Sequence, residues 1–271
     1  MSAPIPLFWW RWKPPHRFNF GDEITAPLVE RLTGRRVVWA PPTSCELVGA
    51  GSVIQMIIDR GKGNRPLLWG AGFMRAGEKG ADSTEFEALA VRGKRTVARV
   101  APHDGREIAL GDPGLLAPLF LDGPVRKRHA LGVIPHYRDA AAPLVSELRA
   151  LGTDVRVIDV GWTPEEVARE VAACDAVISS SLHGLIFADA LGVPNAHVRF
   201  GGKIGGGMYK FRDYYSAFHE RDRYREFVPP PQGAGVMLSD VLDAVHSRYV
   251  RPKSLGQLQD GLVSALERFG R

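Results

Sequence analysis

His183 lies within SSSLHGLIFADALGVP, Ser179 to Pro194, directly after the apolar run Ala176–Ile178. The short β-branched run reads as a buried strand and the serines as a small-residue turn. Leu185, Ile186, Ala190 and Leu191 then give a helix its apolar positions, with Gly192 and Pro194 as stop signals. This order puts His183 at the carboxyl end of a strand and the amino end of a helix, where open α/β sheets bind ligands. Unpaired backbone N–H groups and the positive end of the helix dipole favour a phosphate or carboxylate there. An imidazole beside such an anion can be a cation or a proton donor. Ser179–Ser181 and His183 serving only as helix caps fits the same spacing, and position alone leaves both readings open.

Other residues could join that chemistry. In Asn19-Phe20-Gly21-Asp22 the glycine permits a tight turn, and Asn19 or Asp22 can cap a helix or hydrogen-bond a ligand hydroxyl. The GAG triplets Gly49–Gly51 and Gly70–Gly72 follow apolar runs and suit close backbone approach to a ligand. They match neither GxGxxG nor a P-loop. Lys203, inside the glycine-rich run Gly201–Gly207, suits an anion nest or a lid, and equally a flexible linker. Phe8, Trp9, Trp10 and Trp12 could stack on sugar rings or form one aromatic face of a core strand. His136 and Arg138 fall together in IPHYRD. No GxSxG, HExxH or paired-carboxylate pattern occurs, which disfavours serine hydrolase, zinc protease and glycosidase chemistry.

The elements that must position these residues are clearest after residue 126. Ala130–Ile134 reads as a strand, Ala140–Leu151 as a helix and Val155–Val160 as a strand. Thr163-Pro164-Glu165-Glu166 opens a helix with a capping box and a proline at the first position; this helix should run to Asp175. The His183 unit and a strand over Ala196–Phe200 follow. Alternating strands and helices with short turns predict a parallel, Rossmann-like sheet. Before residue 126 the pattern is less regular, with strands over Leu7–Trp12, Val37–Ala40, Glu46–Ala50 and Leu67–Gly70 and a helix over Glu23–Leu32 ended by Gly34. Asp122–His129 is the best linker. The expected architecture is therefore α/β, with Rossmann-like domains over residues 1–125 and 126–271 and a cleft between them. Ser239–Tyr249 and Leu255–Phe269 read as amphipathic C-terminal helices, the last suited to packing back on the first half.

A chain of 271 residues accommodates one large domain or two modest ones. A net charge of +5 with a pI near 9.4 points to anionic partners. The basic residues are scattered and match no nucleic-acid-binding motif, so no nucleic-acid partner is expected. Cys45 and Cys174 lack metal-ligand spacing, which predicts buried free thiols and no bound metal. Neither a secretory signal nor an apolar run of about 20 residues is present. These features predict a cytoplasmic protein, with basic clusters that allow peripheral contact at the inner face of a membrane.

Taken in order, NFGD at Asn19–Asp22, GAGS at Gly49–Ser52, VRGKRT at Val91–Thr96, GDPGLL at Gly111–Leu116 and SSLHGLIFADALGVP resemble the polysaccharide pyruvyl transferase family, in particular its short bacterial exopolysaccharide-type members. The resemblance implies a two-domain fold similar to GT-B glycosyltransferases. It also implies transfer of pyruvate from phosphoenolpyruvate, a co-substrate, to a sugar as a cyclic ketal, with no cofactor. By the same resemblance the donor-binding arginine falls on Arg92, followed here by Gly93 where many members carry aspartate, and the family's Leu-His pair falls on Leu182-His183. Ser181, Arg138, His136 and Lys203 complete the expected donor set. Asn19, Gly21 and Trp10 are expected against the acceptor, a glycan or lipid-linked oligosaccharide. His183 is the expected acid, with Asp22 or His136 as base. Two other readings remain open from the residues: a GT-B glycosyltransferase using a nucleotide sugar, and a non-catalytic carbohydrate-binding protein.

Overall fold

Short β-branched and apolar runs separated by glycine-rich turns build two sheets. A computed structural model describes residues 3–11, 18–77, 85–100, 107–201, 207–218, 224–231, 234–247 and 249–270. The first sheet comprises β1 (Ile5–Phe8), β2 (Val37–Trp39), β3 (Leu47–Val48), β4 (Leu67–Ala71), β5 (Glu87–Val91) and β6 (Ala109–Leu110), in the order β2-β1-β3-β4-β5-β6. Every pairing in it is parallel. Helices α1 (Phe20–Glu23), α2 (Thr25–Thr33), α3 (Ile54–Arg60) and α4 (Lys94–Val97) connect its strands. Gly34, at φ 65°, closes α2 in the left-handed conformation that glycine adopts without strain.

The second sheet contains β7 (His129–Ile134), β8 (Val155–Val157), β9 (Cys174–Ser179), β10 (Asn195–Val198) and β11 (Glu226–Phe227), in the order β11-β10-β9-β7-β8. It too is parallel throughout. Its helices are α5 (Pro143–Arg149), α6 (Pro164–Ala172), α7 (Leu182–Ala190), α8 (Tyr209–Tyr215) and α9 (Leu238–His246), and α10 (Leu255–Glu267) closes the fold. The expected capping box is formed, with Thr163 and Glu166 bonding each other's backbone. No segment between Leu121 and Arg128 takes regular structure.

Some elements differ from the sequence expectation. The first strand ends at Phe8 because Trp9 turns into the core, where its Nε1 donates to Glu23 at 2.6 Å. Helix α5 starts at Pro143 and not at Ala140, since Ala142 has an extended backbone, the conformation favoured before proline. Helix α6 ends at Ala172, because Cys174 already pairs with His129 in the sheet. The sequence pattern predicts no strand at β5 and no helix at α3 or α8, and all three are present.

One hydrophobic core is continuous between the sheets. It includes Ile5, Trp69, Leu115, Phe187, Tyr214 and Leu262, all fully buried. Phe187 stacks edge-on against Phe20 at 4.9 Å, joining α7 to α1. Helix α10 lies against β4, β5 and β6 of the first sheet, and Trp69 Nε1 donates to the Leu262 carbonyl at 2.8 Å. Cys45 and Cys174 are buried free thiols, and burial pushes them up to about 11 and about 12 respectively.

Candidate functional site

Parallel strands aim all their carboxyl ends one way, so the segments after them converge. Here the segments after strands of both sheets line one cavity of about 350 Å³, within the usual range for small-molecule sites. Asn19 and Asp22 follow β1, Gly51 and Ser52 follow β3, Met74 follows β4 and Arg92 follows β5. From the second sheet come His136, Tyr137 and Arg138 after β7, Ser181, Leu182 and His183 after β9, and Lys210 after β10. Trp10 is also in the lining. Of the expected site residues that are described, only Gly21 is missing from it. Lys203 and Trp12 lie outside the described residues.

Gly21 sits behind the cavity against the His183 ring. A Cβ at position 21 would fall 2.1 Å from His183 Nδ1, so no residue but glycine fits beneath the ring as it stands. NFGD and LHG are thus two halves of one contact. Asn19 takes the capping option, accepting the Gly21 N–H at 3.1 Å. Ser181 occupies the N-cap of α7, but no side chain caps that helix end. The serines are engaged elsewhere. Ser179 Oγ donates to Ile134 or Ser181, and Ser180 Oγ accepts the His136 N–H and donates to Asp139. Capping is therefore not what this serine run does, and the first N–H groups of α7 are left for a ligand.

The GAG triplets correct another expectation. Their closest approaches are to protein groups. A Cβ at Gly49 would meet Thr25 Cγ2 at 1.9 Å, one at Gly70 would meet Pro113 Cδ at 2.2 Å, and one at Gly72 would meet Arg92 Cζ at 2.4 Å. Gly51, at φ 108°, is the one member of either triplet in the cavity wall.

Arg92 is only 1% exposed and highly ordered by its partners. Its Nε donates to Asp213 Oδ2 at 2.9 Å, Nη1 to Ser52 Oγ at 2.8 Å and Nη2 to the Phe73 carbonyl at 2.6 Å. A guanidinium has five N–H donors, so one remains on each terminal nitrogen. Asp213 is itself fully buried and accepts from the Thr96 N–H and hydroxyl. The carboxylate paired with Arg92 thus comes from α8 and not from position 93. A Cβ at Gly93 would meet the Asp213 carbonyl oxygen at 1.8 Å, so the glycine lets α8 approach.

The cavity is strongly cationic. Lys210 faces Arg92 and Arg138; burial first, then those charges, pull it down to about 8, with Asp22 opposing. His136 is held down to about 4 by burial, Lys210 and Arg138, and is neutral at pH 7. Its Nδ1 accepts the Arg138 N–H at 3.3 Å, which leaves the proton on Nε2. Lys210 was missed from sequence because nothing in GMYKFRDYY marks it. Among the described residues no group of three or more His, Cys, Asp or Glu side chains could hold a metal ion, and no helix is long and apolar enough to cross a membrane.

The polysaccharide pyruvyl transferase family profile matches residues 9–199, the span that contributes every lining residue but Lys210. The chain belongs to that family. An uncharacterized protein of Acanthamoeba polyphaga mimivirus is 32% identical over 220 residues, covering 77% of this chain and 74% of that protein. The succinoglycan biosynthesis protein ExoV of Rhizobium meliloti (strain 1021) is 31% identical over 191 residues, 68% of this chain. The match spans little more than half of ExoV, 56% of its length. No solved structure matches the chain. Four of the five motifs that carry the resemblance to the pyruvyl transferase family thus contribute residues to the wall of this cavity, and the fifth, GDPGLL, contributes none.

Proposed function

We propose that this pyruvyl transferase moves pyruvate from phosphoenolpyruvate onto two hydroxyls of a glycan, forming a cyclic ketal and releasing phosphate. The observation that carries this reading is the convergence of Arg92, Arg138, Lys210 and the uncapped start of α7 on one cavity that also holds His183 and Asp22. Phosphoenolpyruvate presents a carboxylate and a phosphate on three carbons, and guanidinium and helix N–H groups are matched to both. The family and the similarity to a succinoglycan biosynthesis protein support an exopolysaccharide, or its lipid-linked precursor, as acceptor.

Protonated His183 gives its proton to the methylene carbon, and the double bond's electrons form the new C–H bond. The central carbon becomes oxocarbenium-like and is attacked by one hydroxyl. That hydroxyl's proton passes to a base, His183 or Asp22. The bond to the phosphate oxygen then breaks with its electron pair, the second hydroxyl closes the ring, and its proton leaves with phosphate. Neutral His136 serves as an Nε2–H donor to the anion. Arg92 binds through its two remaining N–H groups. Nothing in this sequence of steps calls for a cofactor.

On the acceptor side we place Trp10 beside the ring and Asn19 and Asp22 beside its hydroxyls, with Gly21 acting through His183. Trp9 is core. The two sheets support Rossmann-like halves of GT-B type, divided at residues 1–125 and 126–271. The basic surface supports a cytoplasmic enzyme working at the inner face of the membrane on a lipid-linked glycan.

Incubation with phosphoenolpyruvate and an exopolysaccharide repeat unit tests the reading. Phosphate release should depend on acceptor, and the product should gain one pyruvate less one water. Turnover of a nucleotide sugar, or glycan binding without phosphate release, would replace it with one of the other two readings. Asp22→Asn should raise the acceptor KM about tenfold or more while donor binding stays nearly unchanged. Loss of donor binding in that variant would reverse the assignment of the two sides.

Lys210 adds a pH dependence. Because it is pulled down to about 8, its ammonium is present below that pH and is lost as pH rises through it. Donor KM should therefore climb between pH 7 and pH 9. In Lys210→Arg, which stays charged, the climb should vanish; an unchanged profile would remove Lys210 from the donor site.

A further inference from the structure

Asp112, in the GDPG turn, has a second oxygen that helix capping does not use. It opens the 3-10 helix Pro113–Phe120, and its Oδ1 accepts the Gly114 N–H at 2.9 Å. A surface carboxylate would do as much. Here the whole side chain is buried, and Oδ2 lies 3.7 Å from Nε2 of His183. Both atoms are shielded from solvent, and neither has a hydrogen-bond partner among the described residues. Buried polar atoms rarely stay unpaired. A ring nitrogen and a carboxylate oxygen facing each other become partners once a proton lies between them and they close to about 2.7–3.2 Å.

Both sides of the pair are fixed. Pro113, next to Asp112, packs so tightly on Gly70 that a Cβ there would fall 2.2 Å from Pro113 Cδ. The His183 ring packs over Gly21, and a Cβ there would fall 2.1 Å from Nδ1, so the glycine keeps that nitrogen clear of a side chain. With Nε2 shut away against Asp112, Nδ1 is the ring nitrogen left for the cavity that His183 lines.

We propose that Asp112 is the positioning residue for His183. It accepts the Nε2–H, selects the tautomer that presents Nδ1 to the substrate, and supplies the countercharge when the ring is protonated. This deepens, and rests on, the reading of His183 as the proton-transfer residue. Nδ1–H of the imidazolium delivers the proton to the methylene carbon, leaving Nδ1 with a lone pair while Nε2–H stays on Asp112. The same lone pair takes the proton of the attacking hydroxyl, so one ring completes both transfers and returns to its starting state.

Nitrogen NMR of protein carrying labelled histidine, with His183 assigned through His183→Ala, reads the tautomer without any substrate. In the native protein the neutral His183 ring should carry its proton on Nε2; a proton on Nδ1 would overturn the proposal. Asp112→Asn keeps an oxygen for Gly114 but turns an amide N–H₂ toward Nε2, so the proton should move to Nδ1. A histidine held in the wrong tautomer loses kcat on the order of 10³- to 10⁴-fold, while phosphoenolpyruvate affinity should change less than about twofold. An unchanged tautomer or an unchanged kcat in Asp112→Asn would each refute the role. Should that variant fail to fold, the native tautomer still decides. Absence of phosphate release by the native protein would instead refute pyruvyl transfer, leaving the tautomer result to stand on its own.

Discussion

His183→Ala is expected to fold like the native protein and to turn over at least about a hundredfold more slowly, the scale for losing a positioned acid. The physical reason for the first half is that the ring contributes little cohesion. Among the described residues its Nε2 has no partner within hydrogen-bond distance, with Asp112 Oδ2 at 3.7 Å, and its ring contact with Phe20 is a single edge-on approach at 6.2 Å. Strand β9 and helix α7 are built from Ile178, Leu185, Ile186 and Phe187, which the substitution leaves untouched. Thermal unfolding and single-turnover phosphate release measure the two halves separately. Near-normal turnover would remove His183 from the chemistry, and a large loss of stability would show that the ring also holds the fold.

Arg92→Lys is expected to damage donor use far more than acceptor use, and to lower stability as well. Lysine retains the charge but cannot bond Asp213, Ser52 and the Phe73 carbonyl at once while keeping two N–H groups for an anion. Breaking a buried ion pair outright costs about 3–5 kcal/mol, so Arg92→Ala should approach that loss, with the lysine variant between it and the native protein. Donor KM should rise on the order of a hundredfold in Arg92→Lys, with acceptor KM nearly constant. An equal rise in both would mean that Arg92 only braces the wall.

What could be read from the sequence was local. The apolar run, the serines and the periodic helix around His183 are consecutive, and so is the Thr163–Glu166 box; both appear where expected. The resemblance supplied Arg92, although strand β5, which delivers it, was invisible in EALAV beside residues of mixed character. Contacts between distant segments could not be read. Asp213 meets Arg92 across 121 residues, and Asp112 meets His183 from the other sheet. The glycines show the same limit: GAG signals only that backbone approaches something closely. Whether that is a ligand, Thr25 or the Arg92 guanidinium depends on the three-dimensional arrangement.

The position of α10 bears on how the chain comes into being. A protein made from its amino end can usually finish early segments while later ones are still being added. Here the first sheet is complete in strands by Leu110, yet the helix that packs on β4, β5 and β6, α10, is not made until residues 255–267 exist. Trp69 waits for Leu262 as its acceptor across 193 residues of synthesis. The earliest-made sheet is therefore the last to be sealed. Shortening the carboxyl end would be felt first not in the neighbouring second sheet but beneath Arg92, whose strand rests on that helix.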